Sequence, residues 1–154
     1  MGFGKDNLRS IGGKTMLVKE VMTKNVVTIE KNKSVLDACL LYRDLKIGSI
    51  IITNDNVVEG IITERDIIER AICEKKDPSN TSVKSIMTKK IINIHPLETV
   101  EKALEKMKEY NIKKLPVINK DEIVGILTVT DISKARPDLS KRFMNSWVKS
   151  DWED

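Results

Sequence analysis

GIITERDI at Gly60–Ile67 returns as GILTVTDI at Gly125–Ile132, and VKEVMTK at Val18–Lys24 returns as VKSIMTK at Val83–Lys89. Both matches sit at one offset of 65 residues. Holding that offset, Val18–Arg70 aligns with Val83–Ala135 without a gap, and 15 of the 53 pairs are identical. A repeating unit of about 50–60 residues is too long for a solenoid repeat and too short to bury a comfortable core alone. The two copies are therefore expected to pack on each other. A pseudo-two-fold between them would create two related clefts.

Working outward from the matched ends, each half reads β-α-β-β-α. Val26–Ile29 is a short β-rich run, and Ser34 can cap a helix over about Val35–Lys46. Its apolar stripe is Val35, Ala38, Cys39, Tyr42 and Leu45, spaced by three and four. The second half keeps that stripe as Val100, Ala103, Leu104, Met107 and Tyr110 after a Thr99 cap. Ile47–Thr53 is a continuous apolar run suited to a buried strand. Asn54-Asp55-Asn56 is a turn, matched by Asn119-Lys120-Asp121, and Val57–Ile62 is the returning strand. Thr63 and Thr128 then open second helices. The expected architecture is α/β, with two three-stranded sheets, each carrying two helices. The boundaries that follow are a flexible lead-in over 1–17, repeats over 18–73 and 83–135, a linker over 74–82 and a C-terminal helix and tail over 136–154. The linker holds KKDPSNTS (Lys75–Ser82), with its proline and turn residues.

Composition narrows the function classes. Of 154 residues, 40% are hydrophobic and only 4% aromatic. No run approaches the roughly 18–20 apolar residues of a bilayer span, and no secretory pattern opens the chain. The expectation is a soluble cytoplasmic protein without membrane contact. Cys39 and Cys73 have no CxxC spacing and one His for company, so neither a metal site nor a disulfide is expected. A net charge of +4, from 27 basic and 23 acidic residues, permits anionic ligands without demanding nucleic acid. His95, ahead of Pro96, reads as a loop residue. No catalytic constellation is present, and the chain is not expected to be an enzyme.

The strongest local pattern is Gly, two apolar residues, Thr, two variable residues and Asp, ending at Asp66 and again at Asp131. Two readings stand side by side. Thr at an N-cap with an acid three residues later resembles a capping box. The same geometry offers a helix N-terminus, a hydroxyl and a short carboxylate to an anion or a ribose. The Gly permits close approach of a ligand or of backbone.

Tandem repeats of this length with this ending resemble a pair of cystathionine β-synthase (CBS) domains, a Bateman module. The resemblance covers about Leu17–Lys134. It implies a regulatory ligand containing adenosine, with AMP, ADP or ATP favoured, held in clefts between the repeats. It places Asp66 and Asp131 on ribose hydroxyls and Thr63 and Thr128 beside phosphate or ribose. Base contacts are implied at Met22, Val27, Ile47 and Gly48, and at Met87, Ile92, Ile112 and Lys113 in the second repeat, although most of these apolar side chains also suit ordinary core. Lys113 and Lys114 match a phosphate position, as does Arg65, so the two sites should differ. The lysine pair is expected to serve the cleft of Asp131, and Arg65 that of Asp66, which would borrow Lys113 at its edge.

The resemblance further implies a homodimer and a separate, unknown protein partner. Leu139, Phe143 and Trp147, spaced by four, and Trp152 beyond them suggest a tail that packs back or meets another subunit. A nucleic-acid-binding or transcription accessory role is the alternative, though no helix-turn-helix, zinc ribbon or aromatic platform supports it. Sensing of S-adenosylmethionine or NAD is the other.

Overall fold

The computed structural model describes residues 15–142 and Asn145. A short helix α1 (Val18–Val21) leads into β1 (Thr28–Glu30), α2 (Val35–Leu45), β2 (Ser49–Asn54), β3 (Val57–Thr63) and α3 (Glu64–Ile67). The last helix runs on as a π turn over Ile68–Ile72. A 3-10 turn at Val83–Ser85 opens the second half, followed by α4 (Val100–Glu109), β4 (Lys114–Asn119), β5 (Glu122–Thr128) and α5 (Val129–Ala135). Residues 137–142 are also helical.

Local chemistry explains these elements. Ser34 accepts from the Asp37 amide at 3.0 Å and Asp37 answers on the Ser34 amide at 3.0 Å, which closes a capping box on α2. The β2–β3 turn sets Asp55 and Asn56 at φ 50° and 69°, and the β4–β5 turn sets Lys120 and Asp121 at 51° and 66°. Two successive left-handed residues make the turn whose twist suits a tight hairpin. The apolar stripes face the sheet as expected at Val35, Ala38, Val100, Ala103, Leu104 and Met107, all buried. Leu45 and Tyr110 depart from expectation and are exposed. Leu45 closes α2, and at left-handed Lys46 the chain swings towards β2; Tyr110 caps the end of α4.

The strands form one five-stranded sheet, β1-β2-β3-β5-β4, rather than two of three. Its halves meet at one pair, Val57 with Glu122, positions equivalent under the 65-residue offset. The second half lacks a counterpart of β1 beyond an isolated bridge between Ile94 and Val117. The reason is Pro116. In the first half the Ile51 amide donates to the Val27 carbonyl at 3.1 Å. Pro116 occupies the equivalent position and has no N–H to give.

The lead-in of each repeat belongs physically to the other. Val18 is buried in the core cluster of Val100, Met107, Leu115, Val117 and Leu127. Val83, Ile86 and Met87 are buried in the cluster of Val35, Ile50, Ile52 and Ile62. Thr88 and Ile61 exchange backbone hydrogen bonds at 2.9 and 3.0 Å, and Thr23 and Ile126 do so at 2.8 and 2.9 Å. The linker joins in: the Thr81 and Pro78 carbonyls accept from the first amides of α2, at 2.8 and 3.0 Å. The Met16 carbonyl does the same for Val100 at 3.0 Å.

Gly60 and Gly125 make this crossing possible. A Cβ on Gly60 would stand 2.5 Å from the Met87 sulfur and 2.9 Å from the Thr88 carbonyl oxygen. On Gly125 it would stand 2.5 Å from the Met22 sulfur and 3.0 Å from the Thr23 oxygen. The sulfur can move, but the carbonyl is tied into the crossing. Gly60→Ala is expected to cost about 1–3 kcal/mol by overpacking, read as a lower midpoint in denaturant titration. Separately, Tyr42 donates to the Ile62 carbonyl at 2.7 Å, and burial pushes its hydroxyl well above the ordinary value, so it stays a donor. Tyr42→Phe should cost about 1 kcal/mol in the same assay.

Candidate functional site

Both Gly-apolar-apolar-Thr-x-x-Asp motifs close a capping box. The Thr63 amide donates to Oδ2 of Asp66 at 2.9 Å, and the Asp66 amide donates to the Thr63 hydroxyl at 3.3 Å. At Thr128 and Asp131 both bonds are 3.0 Å. The carboxylate's second oxygen is turned elsewhere. Oδ1 of Asp66 lies 3.4 Å from the Thr88 hydroxyl, and Oδ1 of Asp131 lies 3.4 Å from that of Thr23. Both threonines arrive from the opposite repeat. A distance of 3.4 Å is long for a hydroxyl–carboxylate hydrogen bond, so a stronger donor placed there would find a receptive acceptor. The cap thus occupies Oδ2, and Oδ1 is the oxygen turned towards the other repeat. The helix termini themselves offer less than expected. The Val129 amide is taken by the Lys113 carbonyl at 3.0 Å and the Asp131 amide by Thr128.

An open cleft of about 550 Å³ lies where the repeats meet, lined by Gly48, Ser49, Thr63, Asn111, Ile112, Lys113 and Lys114. It joins the first motif's threonine to the lysine pair of the second repeat. The pair was expected to serve Asp131; of the four motif residues Thr63 lines this cleft, and Asp66, Thr128 and Asp131 do not. Lys114 pairs with Thr128 in the hairpin ladder, so it adjoins the second motif in its own sheet. Its ammonium nonetheless reaches across, to 2.3 Å from where a Cβ on Gly48 would stand. Glycine at 48 leaves room for that reach.

The other expected residues sort as follows. Arg65 does not line this cleft; its side chain is 83% exposed and pairs with Glu69 at 2.8 Å. Of the expected base contacts, Gly48, Ile112 and Lys113 line the cleft. Met87 is buried and Met22 half-buried, each set against a motif glycine. Val27 and Ile47 pack on the first core, Ile92 and Ile112 on the second.

Arg70 was not foreseen. Its guanidinium donates to the carbonyls of Ile86 and Met87, each at 3.1 Å, and stands 3.8 Å from Oδ1 of Asp66. It ties the first motif's carboxylate to the crossing lead-in. Its counterpart is Ala135, so the second motif has no such tie. Arg at four residues beyond the motif Asp is the one signal that could have marked it. Arg70→Ala should speed hydrogen exchange at the Thr88 amide by about fivefold, the loss of roughly 1 kcal/mol of local stability. The Thr23 amide should be unaffected.

The CBS-domain family model matches residues 18–72 and 83–138. With two full repeats matched across most of its length, the chain belongs to the CBS-domain family as a tandem pair. It is 28% identical over 116 residues to the CBS domain-containing protein YhcV of Bacillus subtilis, covering 75% of this chain and 82% of that one. It is 34% identical over 119 residues to a homoserine O-acetyltransferase of Methanococcus vannielii, covering 76% of this chain but only 24% of the enzyme. CBS pairs similar to this one thus also occur as segments of enzymes. Among solved structures, the CBS domain pair of protein MJ0100, in complex with 5'-methylthioadenosine and S-adenosyl-L-methionine, superposes with a TM-score of 0.69 at 31% identity. That match covers 79% of this chain and 96% of MJ0100's pair. No helix among the described residues is long and apolar enough to cross a membrane.

Proposed function

We propose that this CBS pair is a regulatory module that binds an adenosine-containing ligand between its repeats and signals to a separate protein. The observation that carries the reading is the cleft that brings Thr63, beside Asp66, to Ile112, Lys113 and Lys114 of the other repeat. Asp66 would accept from the ribose hydroxyls through Oδ1, Ile112 would meet the base, and the lysines would meet phosphate. A charge pair of that kind favours AMP, ADP or ATP. Binding acts on the partner only if the ligand prefers one conformation of the module. A ribose hydroxyl on Oδ1 takes the place of Thr88, so the crossing lead-in is where such a preference would arise.

S-adenosylmethionine is the second reading, favoured by the complex of MJ0100's pair. The two differ at the lysines, since that ligand has a sulfonium and no phosphate. Calorimetric titration with ATP, adenosine and S-adenosylmethionine separates them. Lys113→Ala with Lys114→Ala should weaken ATP more than adenosine and flatten the salt dependence of ATP binding. Tightest binding of S-adenosylmethionine, undiminished by that variant, overturns the nucleotide reading. Asp66→Ala should weaken nucleotide by about ten- to hundredfold, the value of about 1.5–3 kcal/mol for a charged acceptor. It should also lower the melting temperature, because Oδ2 caps α3. An unchanged affinity in the folded variant would reduce Asp66 to its cap.

The module is also read as a homodimer. Leu36 and Leu40 on α2 and Ile68 and Ile72 on the π turn leave an apolar face on the first repeat. Light scattering at micromolar concentration tests it, with twice the mass of the chain as the expected result.

A further inference from the structure

The outer helix faces of the two repeats are finished differently. On the second repeat, residues 137–142 provide a cover. Leu139 and Ser140 are buried, the Ser133 and Ser140 hydroxyls touch, and Arg136 bridges Glu101 of α4 at 3.6 Å and Asp138 at 2.9 Å. The chain therefore closes this face with its own C-terminal segment, through contacts at Glu101 and Ser133. Under the 65-residue offset those positions are Leu36 and Ile68.

On the first repeat the equivalent segment goes elsewhere. The chain turns at left-handed Lys75 into the linker that caps α2. Leu36, Leu40, Ile68 and Ile72 are left 42, 38, 56 and 53% exposed. Their counterparts are Glu101, Glu105, Ser133 and Pro137. At the two positions the segment touches, Glu101 and Ser133, the second repeat is polar, whereas the equivalent Leu36 and Ile68 are apolar and half-exposed, the reverse of what solvent exposure alone would select. The chain also carries a segment of matching chemistry. Phe143, Trp147 and Trp152 follow the covering helix, and they include both tryptophans of the protein.

We propose that the segment Phe143–Trp152 of a second copy docks on the bare face formed by Leu36, Leu40, Ile68 and Ile72. The donor is a second copy because the homodimer reading brings one to this face, while each chain's own residues 137–142 lie on its second repeat. Reciprocal exchange then gives two identical contacts related by a two-fold, a closed arrangement. This deepens the homodimer reading and rests on it.

Because both tryptophans lie in the docking segment, their emission reports on it alone. The test uses the full chain, a face variant (Leu40→Glu with Ile68→Glu) and a tail variant (Phe143→Glu with Trp147→Glu), each checked for a single cooperative melting transition that shows it is folded. The full chain should be a dimer with shielded tryptophan emission that moves to that of tryptophan in water on dilution. Both variants should be monomers, and the face variant's emission should be that of tryptophan in water at every concentration. Dimers in both variants would overturn the docking and leave the homodimer standing. So would a dimer of the full chain with fully exposed tryptophans. A full chain that is monomeric throughout overturns both readings, whatever its emission.

Discussion

Thr88 and Ile61 hold each other by two backbone hydrogen bonds, Thr23 and Ile126 by two more, and everything else in the module is arranged around these reciprocal crossings. They place Val18 in the second core and Val83 in the first. They require glycine at 60 and 125, and they bring a threonine hydroxyl to each motif carboxylate. The two crossings are not equal in the chain. Thr88 and Ile61 are 27 residues apart, Thr23 and Ile126 are 103 apart. Closing the longer span costs about 1 kcal/mol more in chain entropy. The first core can therefore recruit its lead-in early, and Arg70 reinforces that same crossing, whereas the second has Ala135 in its place.

The candidate cleft inherits its make-up from the crossing. No single repeat contains it: Gly48, Ser49 and Thr63 come from one half, and Asn111, Ile112, Lys113 and Lys114 from the other. The motif itself serves two ends through one carboxylate. Oδ2 closes the helix, while Oδ1 faces across the interface to a weakly held hydroxyl. The cap fixes the orientation that the second oxygen holds towards the other repeat.

Much of this was legible in the residues. The offset of 65, the caps at Ser34 and Thr99, the buried stripes from Val35 and Val100, and the hairpin turns depend on near neighbours, and short-range spacing records them. What escaped depends on which repeat a segment packs against. The offset identifies equivalent residues but does not say in whose core they lie. For that reason Lys113 and Lys114 were read with the motif of their own repeat, Lys113 also at the edge of the first, and the offset alone did not bring Lys114 to the cleft that Thr63 lines. Arg70 escaped because its partners are carbonyls, which carry no side-chain signature. The lost strand at Ile94 was readable in principle. Pro116 removes the donor that Ile51 supplies, but its importance emerges only once the register is known.

The swapped lead-ins also bear on ancestry. A chain holding one repeat would carry a segment like VKEVMTK and a groove beside a motif glycine, joined so that the two belong in different bodies. Such a chain could satisfy both only by embracing an identical copy, each lending its opening segment to its twin. Gene duplication would then have needed little more than a tether such as Lys75–Ser82 to make that embrace permanent. On this view the pseudo-two-fold preserves the symmetry of an older dimer, and differences such as Arg70 against Ala135 or Lys113 against Gly48 record what the halves became free to change once each had its own coding copy.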